Sequence, residues 1–246
     1  MKILVCISHV PDTTTKIKFV DNKELDKTGV QWIINPWDEL ALTRALELKE
    51  GSGGKITAVT VINVGRIENE PTIRKALAMG ADNAIRVDAD AKDAYYVAFQ
   101  VAQAVKDQGF DLIFTGIESS DYNGVSIGGM IAEMLDIQSV SGVSGAEFSN
   151  NTFTFKRDID GGFETLNVEL PSVVTVQKGI AIVPRIPNLR GIMMAKSKPL
   201  QVVPAFDAEC LSEVVDFELP KPKPPVKLVE TATQLVELLH NEAKVL

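Results

Sequence analysis

The chain is short of several things at once, and each shortage excludes a class of protein. Its 246 residues include two cysteines, Cys6 and Cys210, and one widely separated pair makes neither a disulfide framework nor a metal-binding spacing. Basic residues are outnumbered, 25 against 33 acidic, for a net charge of −8. That balance argues against nucleic-acid partners and against anionic membranes, which both need a basic surface. No apolar run reaches the ~18–20 residues of a membrane span. The opening "MKILVCIS" is too short for a signal-peptide core and has no small-residue cleavage site. There is no G-x-x-x-x-G-K-[ST] loop, and "SHVPDTT" stands after the first apolar run where a dinucleotide fingerprint would be glycine-rich. The expectation is a cytoplasmic, soluble protein without direct membrane insertion, and not a nicotinamide-dependent enzyme.

What is present is a regular alternation. Continuous apolar runs at "KILVCI" (Lys2–Ile7), "ITAVTV" (Ile56–Val61), "AIRV" (Ala84–Val87), "LIFTG" (Leu112–Gly116) and "VVTV" (Val173–Val176) read as strands buried on both faces. Helical patterns separate them. "NPWDELALTRALELK" offers Asn35 as N-cap and Pro36 at the first helical position. "TIRKALAMGAD" stops at Gly80, "AYYVAFQVAQAVKDQG" stops at Gly109, and a helix is expected to begin near Gly124–Val125. Buried strands alternating with helices predict an α/β fold: a Rossmann-like, mainly parallel sheet with helices on both faces. Such sheets take ligands at the carboxyl ends of their strands, here after Ile7, Val61 and Thr115. A β-hairpin over about 152–170, turning at Asp160-Gly161-Gly162, is expected as an insertion. The division expected is a nucleotide-binding domain over 1–195 and a C-terminal arm over 196–246. "FELPKPKPPVK" gives that arm a semi-rigid spacer, and "ETATQLVELLHNEAKVL" gives it a short terminal helix needing something to lie on.

The segment "TGIESSDYNGVSIGGMIAEML", Thr115–Leu135, is the richest candidate site. It joins a strand end to a helix start, whose free N–H groups, with the Ser126 hydroxyl, suit a phosphate. A βα turn whose Gly128 and Gly129 merely aid packing is the plainer reading, and both stand on spacing alone. Asn35-Pro36-Trp37-Asp38 reads first as a helix start. His9 lies at the ligand end of the first strand without an acid or nucleophile beside it in sequence, and such a histidine is usually structural. Asp158 and Asp160 read as turn residues. No nucleophile elbow or paired-carboxylate spacing stands out, so the chain reads as a binder rather than a catalyst.

Five ordered stretches add a resemblance. "RDIDGGFETLNVELPSVVTV" resembles the signature of the electron-transfer flavoprotein beta subunit, and "MKILVCISHVPD", "INPWDELAL", "TIRKALAMGADNAIRV" and "NLRGIMMAKSKPL" are similar to family stretches in the same order. The resemblance implies a heterodimer with an alpha subunit that holds a redox-active FAD. It implies structural AMP in this chain and an arm that embraces the partner; in a bifurcating subset a second FAD occupies the AMP site. Carried over by position, the nucleotide contacts would be Cys6, Asn35, Pro36, Trp37, Asp38, Val61, Asp121, Tyr122, Asn123, Gly124, Val125, Ser126, Ile127, Gly128, Gly129 and Met130. Leu189 corresponds to the anchor of a loop that recognises acyl-CoA-type dehydrogenases. Asp158 occupies an acidic position that pairs with the mobile flavin domain, and the resemblance implies a membrane quinone oxidoreductase as electron acceptor. Tyr122–Ile127 departs from the family's acid-rich, glutamine-containing run, which leaves AMP and FAD both open. From another class, an ATP-binding or ATP-hydrolysing protein on a similar scaffold also remains, although an ATP-pyrophosphatase would carry a Ser/Gly-rich loop where "SHVPDTT" stands.

Overall fold

Apolar runs that can be wetted on neither face must lie inside a layered sheet, and they do. The computed structural model describes residues 1–246. Its first half contains β1 (Lys2–Cys6), β2 (His9–Pro11), β3 (Phe19–Val20), β4 (Glu24–Leu25), β5 (Trp32–Ile34), α1 (Pro36–Gly51), β6 (Ala58–Val64), α2 (Glu70–Met79), β7 (Asn83–Asp88), α3 (Ala94–Val105) and β8 (Leu112–Gly116). There follow α4 (Ile127–Leu135), β9 (Gln138–Ser149), β10 (Thr152–Ile159), β11 (Gly162–Val168), β12 (Ser172–Val176), α5 (Leu189–Ala195), β13 (Leu200–Pro204) and α6 (Ala232–Leu238). Nine strands make one sheet in the order β11-β10-β9-β12-β8-β1-β6-β7-β13. Those from β9 through to β13 are parallel neighbours, and β10 and β11 extend the sheet as an antiparallel hairpin. The fold is the expected Rossmann-like α/β type.

Period-two alternation divides the central strands between two cores. Ile3, Val5, Leu112, Phe114, Val174 and Val176 face a cluster shared with α1, α2 and α5. Leu4, Ile113 and Val173 face the opposite cluster with α3 and α4. Burying each such Leu, Ile or Phe contributes roughly 1.5–3 kcal/mol, so both faces of the middle strands stabilise the sheet. No helix is long and apolar enough to cross a membrane.

Three elements differ from the sequence reading. The strand expected to end at Val61 runs on to Val64, because Asn63, a polar residue in an apolar run, is buried and donates from Nδ2 to the Ile7 carbonyl at 2.8 Å. The helix expected near Gly124–Val125 begins at Ile127 with Ser126 as its N-cap; Val125 has φ +51°, incompatible with a helix. Strand β9 has no counterpart in the sequence reading. Its buried residues Val140, Val143 and Ala146 recur at spacing three, since one extra residue bulges where Val140–Val143 faces Val174–Val176 and another where Val143–Gly145 faces Arg157–Lys156. The bulges hide the period of two. Strand β9 makes the hairpin continuous with the sheet: it pairs with β12 on one side and β10 on the other. The hairpin turns at Asp160-Gly161, with φ +84° at Gly161.

Beyond Ala181 the chain runs mostly over the surface, with Ala195 of α5 returning to the core. Residues 182–194 form a strap whose Arg185 makes a paired salt bridge with Glu50 of α1 at 2.7 Å, and Arg74 of α2 donates to the carbonyls of Ala195 and Lys198 at 2.8 Å. Within the stretch assigned to the arm, β13 pairs with β7 as an outer strand of the sheet. The spacer and α6 follow, with no buried residue in α6.

Candidate functional site

The parallel order reverses its direction of growth at β1. From β1 the chain builds outward to β6 and β7, then returns through α3 to β8 on the other side of β1. The carboxyl ends of β1 and β8 are therefore neighbours whose connections lead to opposite faces, the arrangement that leaves a ligand crevice. The site is built from what lines that edge.

Asn35 and Asp38 staple it. Asn35 is fully buried and stands at the N-cap of α1, yet its side chain makes no capping bond. It donates from Nδ2 to the Glu118 carbonyl at 2.8 Å and accepts at Oδ1 from the Ser120 N–H at 3.2 Å, holding the root of the 117–126 loop. The Asp38 carboxylate, 4% exposed, accepts from the Ser8 N–H at 2.8 Å and the Gly116 N–H at 2.9 Å. One side chain thus ties the residues at the ends of β1 and β8. A Cβ on Gly116 would lie 2.4 Å from Asp38 Oδ1 and 2.7 Å from Trp37 Cβ, so only glycine permits the approach. Burial pushes the Asp38 carboxyl up to about 7, against the pull of its hydrogen bonds.

The far wall is the first turn of α4. Its leading N–H groups have no intrahelical partner by geometry, and the Ser126 side chain makes no capping bond. Gly128 is buried against the strands: a Cβ there would lie 2.3 Å from Thr175 Cγ2 and 2.8 Å from Thr115 Oγ1. Thr115 is 4% exposed, and its hydroxyl has no hydrogen-bond partner. An orphaned hydroxyl costs roughly 1–3 kcal/mol, and this one faces the positive end of a helix. A negatively charged acceptor at this helix end would satisfy the free N–H groups directly, and would reach the Thr115 hydroxyl, which the first turn of α4 covers, once Gly128 gives way.

The remaining predicted residues fall into distinct environments. Cys6 is half-buried at the end of β1, its thiol pushed up by burial and then by the Asp38 charge, which leaves it protonated and unreactive. Trp37 and Pro36 are half-buried in the first turn of α1. Asp121, Tyr122, Asn123, Gly124 and Val125 form an exposed rim; Tyr122 is 65% exposed. Ile127 and Met130 are half-buried in α4, and Gly129 faces open space. Val61 is the exception. It is fully buried inside β6, paired with Val5 and Ala84, and has no surface to offer a ligand; the residue at that strand end is Val64. His9 accepts or donates at Nδ1 with the Thr72 hydroxyl at 2.8 Å and stacks on Trp32 with centroids 4.5 Å apart. Burial, then Lys27, hold its pKa down against Asp121, so it is a neutral structural group.

Thr115 and Gly116 open the segment singled out from sequence but were not among the expected nucleotide contacts, and neither was Ser8, just past the first strand. Asp158 and Leu189 belong to other surfaces. Asp158 is exposed near the hairpin tip and accepts from Gln177 Nε2 at 3.2 Å. Leu189 opens α5, 82% exposed, on a strap with Ile182 and Ile186 also bare. A cavity of about 390 Å³ between α1, the β9–β10 pair and residues 179–182 includes none of the predicted nucleotide residues.

Comparison with known sequences bears on the whole chain. The family described as Electron transfer flavoprotein domain matches residues 24–208. The chain is 37% identical to the electron transfer flavoprotein subunit beta of Bacillus subtilis, covering all of both chains. It is 35% identical to that of Syntrophomonas wolfei, over all of this chain and 98% of the relative. The electron transfer subunit gamma of acryloyl-CoA reductase from Anaerotignum propionicum is 33% identical over 89% of this chain and 82% of its own.

Proposed function

The chain belongs to the electron transfer flavoprotein family as a beta subunit, and from that premise we propose that its β1/β8 crevice holds an adenine nucleotide with phosphate against the first turn of α4. The family works in electron transfer and implies a heterodimer with an alpha subunit. The observation that carries the nucleotide reading is the uncapped first turn of α4 at the crevice, with the buried, unpartnered Thr115 hydroxyl beneath it. A phosphate is the acceptor such a set of donors fits. The residues that would hold it are Thr115, Ser126 and the α4 backbone, with Asn35 and Asp38 fixing the walls and the Asp121–Val125 rim above.

AMP is the proposed occupant, and its part is structural: it supplies no redox chemistry. Electron carriage belongs to the FAD of the alpha subunit, which this chain helps enclose. The side chains at the crevice support a carrier without bond-making chemistry of its own. The Cys6 thiol is protonated, His9 is engaged with Thr72 and Trp32, and both Asp38 oxygens are committed to backbone N–H groups. The exposed apolar strap around Leu189 is the proposed docking surface for acyl-CoA-type dehydrogenases. Asp158 is the proposed contact for the mobile flavin domain, and a membrane quinone oxidoreductase the proposed acceptor.

Mass spectrometry of nucleotides released from the purified heterodimer tests this directly. One AMP and one FAD per heterodimer is the expected result. Two FAD would instead make it a bifurcating complex, and the absence of any nucleotide besides the alpha-subunit FAD would overturn the crevice reading. Magnesium-dependent ATP turnover by the isolated chain would overturn the carrier reading.

A further inference from the structure

Residues 205–217 contain no helix or strand, yet they are fastened to the body at several points. Fully buried Gln100 donates from Nε2 to the Phe206 carbonyl and accepts at Oε1 from the Phe206 N–H, both at 2.7 Å. Asp93 caps α3 by accepting from the Tyr96 N–H at 2.7 Å. Its other oxygen, Oδ2, accepts from the N–H groups of Leu211 at 2.6 Å and Ser212 at 2.8 Å, and from the Ser212 hydroxyl at 3.3 Å. Lys23 donates from Nζ to the Val215 carbonyl at 2.7 Å, and the Phe217 N–H donates to the Asn22 carbonyl at 2.9 Å. The Phe217 ring stacks on Phe19, centroids 4.7 Å apart and planes 8° from parallel.

Beyond Phe217 this pattern of fastening ends. The stretch 218–230 carries Pro220, Pro222, Pro224 and Pro225, and α6 buries nothing. The apolar side chains point away from any support: Val226 is 83% and Leu228 91% exposed, and Leu235 and Val236 remain half bare. A ribbon of apolar groups on a stiffened spacer calls for an apolar surface supplied from outside.

We propose that Asp93 and Gln100, backed by the Phe19–Phe217 stack, form a latch that fixes where the terminal arm leaves the body and so sets the length of the tether on which the arm reaches the alpha subunit. The arm's seat on the alpha subunit belongs to the heterodimer reading above, on which this inference rests; the latch is a set of positioning residues in this chain. The effect follows from tether length. Latched, the free tether before α6 is residues 218–230. Unlatched at Asp93 and Phe217, with Gln100 still holding Phe206, it begins at residue 207 and is nearly twice as long. Local concentration of a tethered group falls as roughly the −3/2 power of tether length, so releasing the latch lowers it about 3-fold.

The test uses the complete heterodimer and measures subunit exchange against excess labelled alpha subunit. Asp93→Asn keeps an oxygen to cap α3 but turns an amide toward two backbone N–H donors; Phe217→Ala removes the stack. The double variant is expected to exchange about 3-fold faster and to gain protease cleavage within 205–217, with FAD and nucleotide content unchanged. Should that variant fold poorly, Ser212→Pro with Phe217→Ala breaks the latch from the arm side alone and must give the same result. Removal of residues 221–246 is expected to accelerate exchange further. Wild-type exchange by the truncated chain would overturn the arm reading. Faster exchange by the truncated chain, with wild-type exchange or uncut 205–217 in the latch variants, would overturn the latch alone.

Discussion

The crevice edge and the C-terminal arm follow opposite rules. At the crevice, polar side chains are buried and nearly all are satisfied inside the chain: Asn35 is fully buried, Asn63 is 3% and Asp38 4% exposed, each with intramolecular partners. Along the arm, apolar side chains are exposed and nothing in the chain covers them. A buried polar network is rigid because each unmade bond costs a full desolvation penalty. An exposed apolar ribbon is incomplete by the same reasoning, since its burial must come from a partner. The first region is therefore a preformed site, lacking one acceptor at Thr115, whereas the second is half of an interface.

The contrast can be broken at several points, with diminishing force. Gly128→Val sets a branched side chain where Thr175 Cγ2 already lies 2.3 Å from the Cβ position. Overpacking of this kind costs ~3 kcal/mol, and α4 must lift from the strands. Urea denaturation should show that loss, and bound nucleotide should be absent. Asp38→Ala orphans the Ser8 and Gly116 N–H groups, a loss of ~2 kcal/mol in the same measurement, together with weaker nucleotide retention.

A subtler outcome attaches to Asp38 and pH. Its folded pKa, near 7, lies above the ordinary carboxylate value of ~4. The fold thus disfavours the ionised form. This group's contribution to stability is full below pH ~4 and is lost as pH rises through about 7, with a limiting slope of ~1.4 kcal/mol per pH unit. Asp38→Asn removes that slope, so wild type should lose stability relative to the variant between pH 5 and pH 7.5. Smallest is Asp158→Asn. The residue is exposed and hydrogen-bonded only to Gln177, so stability should stay within ~0.5 kcal/mol of wild type. A larger change would mean that the hairpin tip is part of the rigid body rather than a surface awaiting a partner.

The same opposition explains what the sequence disclosed. The buried strands were legible because a strand wetted on neither face must be continuously apolar, and "LIFTG" became β8 with both ends as read. The end of β6 was not, because Asn63 looks like a terminus until its bond to Ile7 is seen. Strand β9 was hidden by the two bulges that give its buried residues a spacing of three. Within the site, the Thr115–Leu135 segment stood out from its strand-to-helix pattern. The stapling by Asn35 and Asp38 did not, since both look like ordinary helix-start residues and their partners lie about 80 residues away at Gly116–Ser120. Tertiary bonds of that kind leave no local period.

Phosphate capture by an otherwise idle hydroxyl is tested most directly by AMP affinity in nucleotide-stripped heterodimer, native chain against Thr115→Val. The exchange keeps shape and replaces the hydroxyl by a methyl group. A hydrogen bond to a charged group is worth ~1.5–3 kcal/mol, so affinity should fall at least about 10-fold while melting of the empty protein holds or rises. Equal affinity in the two proteins would contradict the account.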